Sequence, residues 1–223
     1  SCLVGSEMCI RDRPYTHSGV EASQIAMDKI KSAEIFNKNN FFHPKTYLIK
    51  INEINKQNFF EYPFVLKPRS EGSSVGVGII RSKSEKENYI QENMFRKEVL
   101  IQQFIKGPEI NVAIFGNNKT GSLEIDPKNE FYDYESKYFD KGQTKHIIPP
   151  RLNDDQIKEV EKLALKAHHL IGCKGISRIE FILDSSSKQF YILELNTQPG
   201  MTPTSLVPET VSYTHLRAHE TAS

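Results

Sequence analysis

The strongest constraint on the fold is a pair of segments, 176–183 and 189–195, in which apolar and polar residues alternate on either side of Asp184-Ser185-Ser186-Ser187-Lys188. A period of two is the signature of strands, and so short a polar connection makes the pair an antiparallel hairpin. In the first strand Arg178 and Glu180 share a face opposite Ile179, Phe181 and Leu183. In the second, Glu194 and Asn196 share a face opposite Leu193 and Leu195. The hairpin therefore gathers two carboxylates, an amide oxygen and a guanidinium on one surface. Hard oxygen donors grouped in this way suit magnesium. The pattern also suits a solvated strand face with a surface salt bridge, and alternation alone leaves both open.

Other elements follow from periodicity and punctuation. Residues 22–39 carry Ile25, Ile30 and Phe36 among helix formers and are expected to form one helix. Strands are expected at 47–51, 63–68, 75–81, 98–105, 109–116 and 120–125, with a helix at 84–96. Asn153 with Gln156 forms a reciprocal cap for a helix whose apolar face is Ile157, Val160, Ala164, Ala167 and Ile171, ended by Gly172. No period holds over 127–150, and so long an irregular stretch marks a functional loop.

With 223 residues, 38% hydrophobic and 26% charged, the chain can bury a real core, and its net charge of +1 gives no field directed at nucleic acid or an anionic membrane. No apolar run approaches the roughly 20 residues that span a bilayer, so a cytoplasmic location is expected. Of the three cysteines only Cys173 lies in the body, which rules out a disulfide framework or zinc site there. Beside its glycines it reads as a buried filler or, less simply, a nucleophile.

The ends have a different origin. Residues 3–12 and 211–220 can be encoded by opposite strands of one DNA piece resembling a sequencing-library adapter, so 1–13 and 211–223 are read as non-native. His215 and His219, four positions apart, would otherwise suggest a helical metal pair. The native gene is expected to continue on both sides.

Glu71-Gly72-Ser73-Ser74-Val75-Gly76-Val77-Gly78 is glycine-rich between strands, where backbone N–H groups can surround a phosphate, although a plain hairpin turn fits as well. It has neither the Walker A nor the dinucleotide spacing. Lys67 could reach the same phosphates or be a surface lysine.

Taken in order, Tyr15-Thr16-His17-Ser18-Gly19, Ala26-Met27-Asp28-Lys29, Lys67-Pro68 with Glu71-Gly72-Ser73-Ser74-Val75-Gly76, Phe131-Tyr132-Asp133-Tyr134-Glu135-Ser136-Lys137-Tyr138, and Glu194-Leu195-Asn196-Thr197-Gln198-Pro199-Gly200-Met201-Thr202 closely resemble the D-alanine:D-alanine ligases of the ATP-grasp superfamily. The resemblance implies an α+β fold in which two sheet-and-helix subdomains grip a nucleotide. It divides the chain into a remnant of an N-terminal substrate domain at 14–28, a central subdomain at 29–107, and a catalytic subdomain at 108–210 with a lid at 127–150.

The resemblance also implies that Lys29 and Lys67 contact the phosphates of ATP. Gln102, Gln103, Phe104 and Ile105 would line the adenine, and Glu109 would take the ribose. Glu180, Glu194 and Asn196 would hold Mg2+ or Mn2+, and Arg178 and the backbone N–H of Gly200 would stabilise an oxyanion. Lys137 would reach the transferring phosphoryl group, Tyr138 and Ser73 would close the lid, and Ser205 with the backbone of Leu206 would hold the second D-alanine. The sequence departs from the family at Gln102, where an acid is usual, and at Glu180, where an aspartate is usual. Small-molecule substrates, no nucleic acid or membrane partner, a homodimeric parent and a role in peptidoglycan synthesis are implied. A D-alanine:D-lactate or other ATP-grasp carboxylate-amine ligase is the alternative within the class, and a nucleotide-binding module without activity the alternative outside it.

Overall fold

The long helix α4, Asp154–Ile171, forms because both of its ends are specified locally. Asn153 accepts from the Gln156 N–H at 2.9 Å while Gln156 reaches back to the Asn153 N–H at 3.1 Å, and Gly172 ends the helix at φ 78°. Such caps are worth about 1 kcal/mol each. The computed structural model describes residues 15–72, 75–127, 144–202 and 205–213.

In place of the single helix expected over 22–39 there are two, α1 Val20–Met27 and α2 Lys29–Lys38. The break is Asp28. Its carboxylate accepts from the N–H groups of Ile30 and Lys31 at 3.1 and 3.3 Å and from Arg69 Nε and Nη2 at 3.1 and 2.8 Å. The Arg69 hydrogen bond holds the Asp28 carboxyl below its ordinary pKa. A cap fixed by a distant arginine outweighs helix propensity, which is a weak prior.

Strands β1 Thr46–Lys50, β2 Phe64–Lys67, β3 Gly78–Ile80 and β4 Glu98–Gln103 form an antiparallel sheet in the order β1-β4-β2-β3. Its inner face packs Ile49, Phe64, Leu66, Ile80, Val99 and Ile101 with Ile51, Ile54 and Tyr89, the last from helix α3, Lys83–Glu92. Thr46, Gln102, Val65 and Ile79 stand in one cross-strand row on the other face.

The second sheet is antiparallel in the order β7-β6-β5-β8-β9, from β5 Glu109–Phe115, β6 Asn118–Pro127, β7 Thr144–Ile147, β8 Ile176–Leu183 and β9 Phe190–Asn196. Strand β7 lies inside the stretch expected to be irregular, and it escaped pattern reading because four residues are too few to establish a period. One face buries Ile110, Val112, Ile114, Ile179, Phe181 and Ile192 under α4, α1 and α2. Leu206, which opens the last helix, α5 Leu206–Tyr213, packs on Leu123 and Ile125. Helix α5 runs across position 210, where the native part is expected to end.

The expected alternation of β9 fails at one point. Glu180 pairs with Glu194 but Phe181 pairs with Ile192, so Leu193 is an extra residue, a β-bulge. Leu193 consequently leaves the core face to which alternation assigns it and lines the cleft beside Glu194.

The sheets are joined at residues 104–108. Gly107 is required there, since a Cβ would sit 1.8 Å from the Leu183 carbonyl oxygen. On either side, Leu183 donates its N–H to Pro108 and Ser185 to Lys106, at 3.1 and 2.8 Å. Among the described residues no helix is long and apolar enough to cross a membrane.

Candidate active site

Between the sheets lies a cleft of about 1100 Å3. Val65, Val77 and Ile79 form one wall, Ile182 and Leu193 the other, and Phe104 and Ile105 close the back. Lys29, Lys67, Glu71, Glu180 and Glu194 also line it. An apolar slot meeting opposed charges suits a ligand with a flat ring system and an anionic tail.

Lys67 ends β2 and is only 7% exposed, so the surface-lysine reading is corrected. Burial pushes its ammonium down to about 8, with Glu194 and Glu180 opposing the shift and Lys29 adding to it. Lys29 follows the Asp28 cap, which aims it inward. It donates to the Glu71 carbonyl at 2.6 Å and lies 3.7 Å from the Glu194 carboxylate. Both lysines reach the cleft, where an anion would relieve their mutual repulsion.

The β8–β9 hairpin brings together the residues that alternation assigned to it. Glu180 and Glu194 are cross-strand partners, and Asn196 Nδ2 lies 3.1 Å from Glu180 and 3.4 Å from Glu194. Arg178 is ion-paired with Glu180. Burial works against its charge, yet Glu180, Glu194 and Glu109 outweigh that and raise its pKa. Its Nε is buried with no hydrogen-bond partner. With Glu180 only 6% exposed, this is no solvated strand face.

Two carboxylates and one amide are a donor set that fits a hard dication, since turning the Asn196 amide presents Oδ1 in place of Nδ2. Among the described residues no group of three or more His, Cys, Asp or Glu is placed to hold a metal. Further ligands would have to come from a bound phosphate and water.

Glu109 begins β5 and accepts from Asn111 Nδ2 at 3.0 Å. Gln102 is 3% exposed, and its Nε2 donates to Thr46 Oγ1 at 2.7 Å. Gln103 Oε1 accepts weakly from the Lys45 N–H at 3.4 Å. Gly200 faces Ser205, whose Oγ would stand 2.7 Å from a Cβ there. Ser205 Oγ accepts from the Thr202 N–H at 3.1 Å and meets the Thr202 hydroxyl at 2.8 Å. Leu206 is 7% exposed and commits its side chain to packing, and its carbonyl accepts from the Thr210 hydroxyl at 2.7 Å, so any ligand contact there falls to its backbone N–H. Ser73, Lys137 and Tyr138 lie outside the described residues, as does most of the expected lid. Burial raises the Cys173 thiol to about 11, which marks a packing residue.

Sequence reasoning missed several groups. Asn111, 2% exposed, pairs in register with Glu180 and leaves its Oδ1 buried without a partner. Its position in an alternating strand carried a signal that went unread, because an asparagine facing the same way as Glu109 belongs to the same surface. Glu124, Asp126 and Arg151 also line the cleft, with Arg151 Nε 3.0 Å and Nη2 2.5 Å from Glu124 Oε1. No local pattern links them.

Residues 30–219 match the family model described as D-ala D-ala ligase C-terminus. A D-alanine--D-alanine ligase from Pelagibacter ubique is 46% identical over 207 residues, covering 88% of this chain and 66% of the relative. The chain thus spans somewhat under two thirds of that relative's length, and 62% of the corresponding Wolbachia pipientis ligase. Among solved structures, the VanG D-Ala:D-Ser ligase from Enterococcus faecalis superposes with a TM-score of 0.77 at 25% identity, covering 91% of this chain and 61% of the other. The Bacillus anthracis D-alanine--D-alanine ligase complexed with ATP gives a TM-score of 0.73 at 28% identity, covering 93% of this chain and 67% of the other. These matches reach across both sheets and the cleft between them, and the chain belongs to the D-Ala-D-Ala ligase C-terminal family, with an ATP-grasp fold.

Proposed function

We propose that the chain is the nucleotide-binding and catalytic part of an ATP-dependent D-alanine:D-alanine ligase serving peptidoglycan synthesis in the cytoplasm, its parent a homodimer. The observation that carries this reading is the meeting of Lys29 and Lys67 with Glu180, Glu194, Asn196 and Arg178 along an apolar cleft.

A carboxylate does not accept an amine in water without activation, so the γ-phosphoryl of ATP passes to the carboxylate of one D-alanine. The amine of the second attacks this acyl phosphate, and the tetrahedral intermediate releases phosphate and dipeptide. Lys67 and Lys29 hold the phosphate tail, and the walls from Val65 to Leu193 hold the base. Glu180, Glu194 and Asn196 are the residues that would hold magnesium or manganese, which supplies charge neutralisation at the phosphates. Arg178, its Nε available, and the Gly200 N–H stabilise the oxyanion. Ser205 and the Leu206 backbone hold the second D-alanine carboxylate. Lys137 reaches the transferring group, and Tyr138 with Ser73 closes a lid that keeps water from the acyl phosphate.

Product analysis on the full-length protein tests the reading. Adding D-alanine with ATP and magnesium should give ADP, phosphate and D-alanyl-D-alanine in equal amounts. ADP formation only with D-lactate or D-serine as the second substrate would overturn the substrate, and no ADP with any of them would leave a binding module.

A further inference from the structure

We infer that Thr46 locks the Gln102 amide in one orientation and thereby makes the cleft selective for a 6-aminopurine nucleotide over a 6-oxopurine one. The inference rests on the nucleotide reading above and goes further by naming what the base is chosen by.

An amide is ambiguous at its end, since rotation by half a turn exchanges an acceptor for two donors of nearly the same shape. A free glutamine lining a base pocket can serve either a 6-amino or a 6-oxo group, and by itself selects nothing. Gln102 is not free. The Thr46 hydroxyl donates its one proton to the Pro44 carbonyl at 2.8 Å. With that proton committed, Thr46 Oγ1 can only accept, and it accepts from Gln102 Nε2 at 2.7 Å. Turning the amide would set two lone-pair oxygens against each other at that distance and lose a largely buried hydrogen bond. The lock therefore fixes Oε1 as the acceptor end of the amide and leaves the second Nε2 hydrogen as a donor beside it, an order that matches the exocyclic amine and ring nitrogen N1 of adenine and is reversed at the 6-oxygen and N1–H of hypoxanthine or guanine.

The sheet puts this device in the right place. Thr46, Gln102, Val65 and Ile79 are successive cross-strand partners in one row, and Gln102, Val65 and Ile79 line the cleft. Pro44, which takes the Thr46 proton, lines it as well. A carboxylate at this position would be an acceptor in either orientation and would need no lock. The threonine supplies what the amide lacks.

Competition binding on this chain with magnesium present tests it, using ATP against inosine triphosphate, which differs at C6 in carrying oxygen for the amine. The unaltered chain should prefer ATP by about tenfold or more, the scale of one mismatched buried hydrogen bond. Thr46→Val keeps the shape and releases the amide, so the preference should collapse to about threefold or less, mainly through tighter inosine triphosphate binding. Adding Gln102→Glu to Thr46→Val should restore the preference, because a carboxylate cannot be turned into a donor while ionised. A merely structural threonine would weaken both nucleotides together and leave their ratio unchanged, and that result overturns the lock. Equal binding of both nucleotides by the unaltered chain overturns it too, with the nucleotide site intact. No ATP binding at all would instead overturn the reading of the cleft on which the lock rests.

Discussion

The Lys29 ammonium stands 3.7 Å from the Glu194 carboxylate, so a cation on α2 and an anion on β9 meet across the polar side of the cleft. Buried Lys67 senses both, one lowering and the other raising its pKa.

Nucleotide affinity should therefore depend on pH with a known sign. Lys67 titrates near 8 instead of its ordinary 10.5, and a polyanion binds its protonated form. Affinity for ATP should fall as pH rises through about 8. Lys29→Met should move that fall upward, and Glu194→Gln should move it downward. Titration calorimetry between pH 7 and 9.5 checks this, and a flat profile would rule Lys67 out as a phosphate contact.

Acid should unfold the protein partly through His168. Its ring is 1% exposed, pairs with Ser177 at 2.7 Å, and is pushed by burial down to about 4. A histidine of depressed pKa adds stability above its unfolded value near 6.5 and loses it as pH falls toward 4. The loss is on the order of 2–4 kcal/mol. His168→Asn should flatten thermal denaturation midpoints between pH 6.5 and 4.5, and an unchanged slope would remove His168 from the account.

Arg178→Ala and Glu194→Gln should fail differently in the full-length protein. On the proposed mechanism, removing Arg178 deletes a donor aimed at developing charge, a loss of roughly 3–4 kcal/mol in turnover. It also removes the ion pair of buried Glu180, which keeps its contact with Asn196, so the melting temperature should fall as well. Glu194 has a side chain 27% exposed, and Gln keeps its shape, so stability should hold while the magnesium requirement rises. Excess magnesium should partly rescue Glu194→Gln alone. Rescue of both, or of neither, would contradict the assignment of roles.

Gly107→Ala should be among the most damaging single changes on the chain. The added methyl meets the Leu183 carbonyl at 1.8 Å, while at Gly172 it meets open space and only the positive φ is penalised. Backbone displacement at 107 should cost about 3 kcal/mol or more, against about 1 kcal/mol at 172. Because Phe104, Ile105 and Glu109 flank Gly107, nucleotide affinity should drop too. Comparable midpoints for the two alanine variants in denaturant would refute the close approach.

What could be read from residues alone was what local physics decides. The α4 cap, the β8–β9 hairpin and the carboxylate pair at Glu180 and Glu194 each follow from neighbours a few positions apart. Features set by distant partners stayed hidden: Asp28 breaks a helix because Arg69 comes back to it, and Arg151 finds Glu124 only once the second sheet exists. Thr46 carries no signal until β1 lies beside β4.

Leu193 shows what one extra residue can do to a strand. In a regular strand, neighbours point to opposite sides, so a greasy wall contact and a carboxylate cannot be delivered side by side to the same cleft. The bulge slips the side-chain frame by one step, and Leu193 and Glu194 both face the cleft. Removing Leu193 would close the slip and leave Glu194 and Asn196 on the same side as before. The two jobs of β9 are thus separable, and a shortened strand would keep its charged end while losing an apolar residue from the wall of the cleft.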